Sequence, residues 1–254
     1  MCGIVATLLY PQEREKKDWI AIRDSFTQNL VFNEERGAAA TGLAVVQSDG
    51  EVRVYKAAVK ASEFVQTCQY QQLLAEADSH TTLILGHTRL PTKGDPAYNG
   101  NNHPLQAGPI FGVHNGIIDN DDALFDLLCL PRDAQVDSEI IFRFLERIAP
   151  TNTGVEYLKA VRSQLQQIQG QFTFLACDQR RPEILLVLRH GNPISTHFHE
   201  AWNALIFSSS YVFLRKFFGS SPDIDIVEQD QLMLFDAPAL PRLGSRSFAS
   251  VSFC

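Results

Sequence analysis

Thr41 to Gln47, Ser48-Asp49-Gly50 and Val52 to Tyr55 read as two β-branched strands joined by a tight turn, and this hairpin constrains the fold more than any other segment. Asp-Gly supplies the positive backbone angles such a turn needs, so the flanking strands must pair antiparallel. A strand is expected ahead of it at Cys2 to Leu9, then a helix over Asp18 to Leu30, where Trp19, Ile22, Phe26 and Leu30 recur at helical spacing. Ser62 to Ala77 reads as a second helix. Thr82 to Thr88 and Ile110 to His114 read as strands separated by a Pro-, Gly- and Asn-rich loop from Pro91 to Gln106. A loop of that length inside a compact domain usually carries function. Helices are expected over Asp122 to Leu128, Asp137 to Ile148 and Val155 to Gln167, the second with Asp137-Ser138 placed as a cap. Strands follow at Gln171 to Asp178, Ile184 to Arg189, Ala204 to Ser208 and within Ile224 to Phe235, with a weakly structured tail from Ala237. Hairpins in place of regular βαβ alternation give an α+β class with antiparallel sheets.

Composition narrows the partners. Of 254 residues, 45% are hydrophobic and 20% charged, which suffices for a sizeable core and excludes general disorder. The net charge of -7, with basic residues scattered, argues against nucleic acid as a partner. No run reaches the ~18 apolar residues of a transmembrane helix, so no membrane is expected. Five widely spaced cysteines, with no Cys-x-x-Cys pair, fit a reduced, cytoplasmic setting and give no metal-binding pattern.

The chemistry-bearing residues gather at strand ends. Met1-Cys2-Gly3 puts a small residue second, where the initiator methionine is commonly removed, and a free Cys2 would then carry a thiol and an α-amine of pKa roughly 7.7 to 8.0. An amine near the operating pH can serve as base to the neighbouring thiol. A buried small residue in a first strand is the plainer reading of Cys2 taken alone. Gly86-His87-Thr88-Arg89 enters the long loop, which holds Thr92 and Asn102-His103-Pro104, and His114-Asn115-Gly116 ends a further strand. Polar, glycine-bearing strand ends are what a substrate pocket needs.

These pieces resemble the class II glutamine amidotransferases of the N-terminal nucleophile hydrolase superfamily, most nearly the glutaminase domain of glucosamine-6-phosphate synthase. The likeness is carried, in order, by Cys2-Gly3-Ile4-Val5, Arg36-Gly37 with Gly42 to Val46, Gly86 to Arg89, Asn102 to Pro104, Val113 to Ile118 and Asp137-Ser138-Glu139. It runs to about residue 236. The resemblance implies a four-layer αββα sandwich, one domain over residues 2–236 with a C-terminal tail at 237–254, and hydrolysis of the L-glutamine side-chain amide without metal or organic cofactor.

It further implies that Cys2 is the nucleophile and that Asn115 and Gly116 supply the oxyanion donors. Arg89 would take the glutamine α-carboxylate with help from Thr92, and Asp137 the α-ammonium group, with Arg36 and His103 in support. Asp137 also stands where a helix cap would, and His87 and His114 read as structural histidines. The chain departs from the family at Ala39-Ala40, where the usual Asp-Ser is missing, at Leu90-Pro91 in place of Trp-Ala, and at Ser208-Ser209-Ser210 in place of Ala-Ser-Asp. Two other classes remain open: a catalytically silent glutamine-binding regulatory subunit, and a hydrolase of a different amide. Ammonia would pass to a separate synthase subunit or be released by a stand-alone activity.

Overall fold

Strand β1 (Gly3–Leu9) is buried along its whole length, and its side chains divide by period two. Ile4, Ala6 and Leu8 enter one core, whereas Val5 and Leu9 enter another. A strand buried on both faces must lie between layers. The computed structural model, described for residues 1–151, 153–219 and 222–254, shows those layers to be two antiparallel sheets with helices on the outer face of each.

The first sheet has the order β11-β9-β10-β1-β4-β2-β3 and the second β13-β12-β8-β7-β6-β5. The strands of the first are β1, β2 (Ala40–Gln47), β3 (Val52–Ala57), β4 (Thr81–Arg89), β9 (Ser195–His199), β10 (Ala204–Ser208) and β11 (Asp225–Ile226). Those of the second are β5 (Leu105–Ala107), β6 (Ile110–Ile118), β7 (Gly170–Asp178), β8 (Arg181–His190), β12 (Gln231–Asp236) and β13 (Ala249–Ser252). Ile4, Leu85 and Phe207 of the first sheet meet Val113, Leu175 and Val187 of the second in the central core. Helices α1 (Lys16–Phe32), α2 (Ala61–Phe64), α3 (Cys68–Ala75) and α7 (Tyr211–Phe218) cover the first sheet through residues such as Phe26, Phe64 and Leu214. The second is covered by α4 (Asp121–Leu128), α5 (Glu139–Glu146) and α6 (Gly154–Leu165), with Phe142, Phe144 and Leu158 facing Phe172 and Phe174. This is the expected α+β sandwich of four layers. A short α8 (Leu240–Leu243) follows β12.

Three local expectations differ. The helix expected over Ser62 to Ala77 breaks in two because the Thr67 hydroxyl accepts the N–H of Tyr70 and starts a new helix. Helix α5 starts at Glu139 with no side-chain cap, and the Asp137 carboxylate reaches across to accept the Ile118 N–H at 2.8 Å instead. The stretch after Ala237 is better ordered than a weak tail: β13 pairs with β12, and Phe253 is buried against Phe172. Among the described residues no helix is long and apolar enough to cross a membrane.

Candidate active site

The sheet register builds the site from two directions. Gly3 pairs with Thr88, so Cys2 falls beside Leu90, the residue after β4. A Cβ on Gly3 would come within 2.4 Å of Thr88 Oγ1, so only glycine permits this approach. Cys2 Sγ then sits 3.4 Å from the Leu90 N–H and 3.5 Å from its carbonyl. Arg36 Nε donates to the Cys2 carbonyl at 3.0 Å, and the Cys2 N–H donates to Asn115 Oδ1 at 3.0 Å. Asn115 belongs to β6 of the second sheet, so the two sheets meet at this cysteine. Burial pushes the Cys2 thiol above its ordinary pKa; the Leu90 N–H, the terminal ammonium charge and Arg89 pull the other way, while Asp137 adds to the rise.

Asn115 is 2% exposed, and its Oδ1 is committed to Cys2 while its Nδ2 has no acceptor. A buried amide donor left unpaired is costly, so this one marks a place where a ligand oxygen would be stabilised. Gly116 follows on the same strand. A Cβ there would lie 2.1 Å from the Gln171 carbonyl, which β7 brings across, so glycine is again required. Cys2, Thr92, Asn115 and Gly116 line one cavity of about 330 Å³, with Gln171 and Asn192 on its far wall. Asn192 Nδ2 donates to the Asn115 carbonyl at 3.2 Å and steadies that strand end.

Arg89 and Asp137 are nearby but lie in the second layer around this cavity. The Arg89 guanidinium donates from Nη1 to Asn102 Oδ1 and from Nη2 to the carbonyls of Lys93 and Gly94, each at 2.7 Å. The loop after β4 thus folds back on the fork, leaving Nε–H and one Nη1 hydrogen without a partner among the described residues. Asp137, 5% exposed, holds Ile118 through Oδ2 and the Ser138 hydroxyl through Oδ1 at 3.3 Å. Ser138 Oγ lies 2.7 Å from His114 Nδ1, and the His114 carbonyl lies 2.9 Å from His87 Nε2. His103 packs 4.3 Å from His87, ring to ring, with neither nitrogen bonded, and does not line the cavity. Burial pushes His87 down to about 3, His103 well below the usual range, and His114 down as well, against the pull of Asp137.

Gln171 and Asn192 were absent from the expected set. Asn192 stands in a Gly-Asn-Pro turn after β8, a position that marks a strand end and nothing more. Gln171 carries no sign of its own until β7 pairs with β6.

No family model matches the chain. It is 29% identical over 208 residues to a glutamine–fructose-6-phosphate aminotransferase (isomerizing) of Vibrio vulnificus, covering 81% of this chain and 31% of that protein. The enzyme of the same name from Haemophilus influenzae is 30% identical over 201 residues, 76% of this chain and 29% of that protein. The whole chain superposes on 49% of a glutamine phosphoribosylpyrophosphate amidotransferase from B. subtilis with a TM-score of 0.72 and 16% identity. It also superposes, with a TM-score of 0.57 and 13% identity, on the full length of a glutamine aminotransferase class-II domain protein from Silicibacter pomeroyi. In sequence the chain is similar to the glutamine–fructose-6-phosphate aminotransferases, and in fold to the class II glutamine amidotransferases. It spans about a third of the length of the curated relatives it matches. Segments up to 136 positions apart, counting from Cys2 to Ser138, are thus drawn together: Cys2, Asn115 and Gly116 line the cavity, and Asp137 and Ser138 stand behind it, Ser138 against His114.

Proposed function

We propose that the chain hydrolyses the side-chain amide of free L-glutamine to glutamate and ammonia through a thioester on Cys2. The observation that carries this reading is the double use of Asn115, whose Oδ1 binds the Cys2 nitrogen while its Nδ2 is left without an acceptor beside the thiol. With Met1 removed, that nitrogen becomes an amine whose hydrogen is held by Asn115, which turns its lone pair toward the thiol. The amine takes the thiol proton, and the thiolate attacks the amide carbon. Asn115 Nδ2 and the Gly116 N–H receive the oxyanion. The amine passes its proton to the departing nitrogen, the C–N bond breaks, and a thioester remains. Water, deprotonated by the same amine, attacks the thioester; the C–S bond breaks and glutamate leaves.

Arg89 takes the α-carboxylate through its remaining hydrogens, joined by Thr92, and Asp137 takes the α-ammonium group. Arg36 holds the Cys2 carbonyl and so fixes the nucleophile's backbone, and His103, packed on His87, acts in support. Residues 2–236 form the amidotransferase domain, and residues 237–254 complete its second sheet through β13. The ammonia passes to a synthase partner or is released by a stand-alone activity; the relatives are by name glutamine–fructose-6-phosphate aminotransferases, which pass it on to a sugar phosphate. The five free cysteines suit the cytoplasm.

The test is ammonia release from glutamine, from N-acylated glutamine and from unrelated amides, each with the mature chain and with Cys2→Ala. Release from free glutamine alone, lost in the variant, supports the proposal. Equal turnover of N-acylated glutamine would overturn the amino-acid clamps, and binding of glutamine without turnover would favour a silent regulatory subunit.

A further inference from the structure

Behind the cavity wall the chain draws three potential ligands together. His190 ends β8, Asp230 stands in the turn before β12, and Cys254 follows β13. Donor atoms from all three lie within 4.8 Å of one another. The backbone enforces this meeting. Asp230, in the left-handed region with φ 57°, donates its N–H to the Arg189 carbonyl at 2.7 Å and accepts the Phe253 N–H at 2.8 Å. Each neighbour of a ligand is therefore tied to the third ligand. The His190 ring is clamped edge-on between Phe172 and Phe253, at 5.5 and 5.2 Å between centroids, and its Nδ1 meets Asp230 Oδ1 at 2.5 Å.

We propose that His190, Asp230 and Cys254 form a binding site for a divalent transition metal of the zinc class, with water completing a tetrahedron. The donor set, one imidazole nitrogen, one carboxylate oxygen and one thiolate, is the borderline-soft combination such ions prefer over magnesium or calcium. Metal–ligand bonds of about 2.0 to 2.3 Å place ligand atoms roughly 3.5 Å apart, so the site must contract slightly. The exposed Cys254 side chain can do this by rotating about its Cα–Cβ bond, because no core packing holds it. Binding replaces the hydrogen bond between His190 and Asp230 and, on forming the metal–thiolate bond, releases the thiol proton to water, with no change of oxidation state. The site lies outside the catalytic cavity, yet it touches that cavity's frame: His190 pairs with Phe172 and precedes Gly191-Asn192, while Gln171 precedes Phe172. It stands independently of the hydrolytic reading.

The experiment is titration of the metal-free full chain with cobalt(II), in a Cys2→Ala background so that the other active thiol cannot contribute. A single equivalent should bind with a sulfur-to-cobalt charge-transfer band and intense visible bands of tetrahedral cobalt. Zinc should displace it. Cys254→Ser should abolish the charge-transfer band, and Asp230→Asn should weaken binding at least about 10-fold. Circular dichroism melts of both variants should match the parent, since neither change removes buried apolar surface. Absence of stoichiometric binding, or a charge-transfer band that survives Cys254→Ser in a folded chain, would overturn the proposal.

Discussion

On the proposed mechanism Asn115 combines a folding role with a chemical one in a single side chain. Its oxygen holds the Cys2 nitrogen and its amide stays unpaired, so replacing it removes a tie and a donor together. Asn115→Ala should lower kcat for glutamine by about 10² to 10³ with a much smaller change in KM, because the donor acts on charge that develops only in the transition state. Steady-state ammonia release measures this. A variant whose main defect is KM would reassign Asn115 to ground-state binding. Cys2, Asn115 and Gly116 were legible only through the resemblance carried by several short motifs together, since each residue alone reads as ordinary strand; the fold brings the three to one cavity. Asn192 and Gln171 were not, because a lone polar residue near a strand end acquires meaning only when a partner strand places it on the cavity wall. The Arg89 fork was legible as a residue, but its closure by Lys93, Gly94 and Asn102 depends on a loop path that no local pattern specifies.

At the scale of elements, β4 and β6 deliver the motifs and also bury three histidines between the sheets. His87, His103 and His114 are each under 5% exposed, and all three are held below their ordinary pKa by burial. The unfolded chain protonates such groups near about 6.5, whereas the folded chain resists until far lower pH, near about 3 for His87. Their contribution to stability is therefore fully present above about 6.5 and is lost as pH falls through the window below it. Urea midpoints should drop from about pH 6.5 downward, ahead of the carboxylates, and His103→Leu should flatten that slope by up to one proton. An unchanged slope in a folded His103→Leu chain would remove this histidine from the linkage.

Most elements were legible because apolar alternation and helical spacing follow burial directly: both cores adjoining β1 take its residues in strict turn. Five of the labelled elements escaped: β5, β9, α7, α8 and β13. β9 carries Ser195, Thr196 and two histidines, and looks polar until α7 covers it; α7 is an aromatic run whose Ser210 cap, accepting the Val212 N–H at 3.3 Å, lies inside a serine triplet.

For the whole molecule, the fold's task is to bring the start of β1 in one sheet against β6 in the other, and the central core of Ile4, Leu85, Val113 and Leu175 holds them there. That arrangement makes Cys2 useful only with a free amine. While Met1 is attached, the Cys2 nitrogen is an amide whose lone pair is delocalised, and Met1 itself lines the cavity. The thiol, raised by burial, then keeps its proton at neutral pH. Without the amine the chain lacks both the base for attack and the acid for the leaving ammonia. The sequence raised this pairing through Met1-Cys2-Gly3, and the three-dimensional fold supplied the Asn115 oxygen that orients it. The decisive measurement compares glutamine-dependent ammonia release by the chain with Met1 removed and by one that retains it, each verified by intact mass. Retention should cost at least about 10² in rate; equal rates in the two forms would contradict the account of Cys2 as a nucleophile served by its own amine.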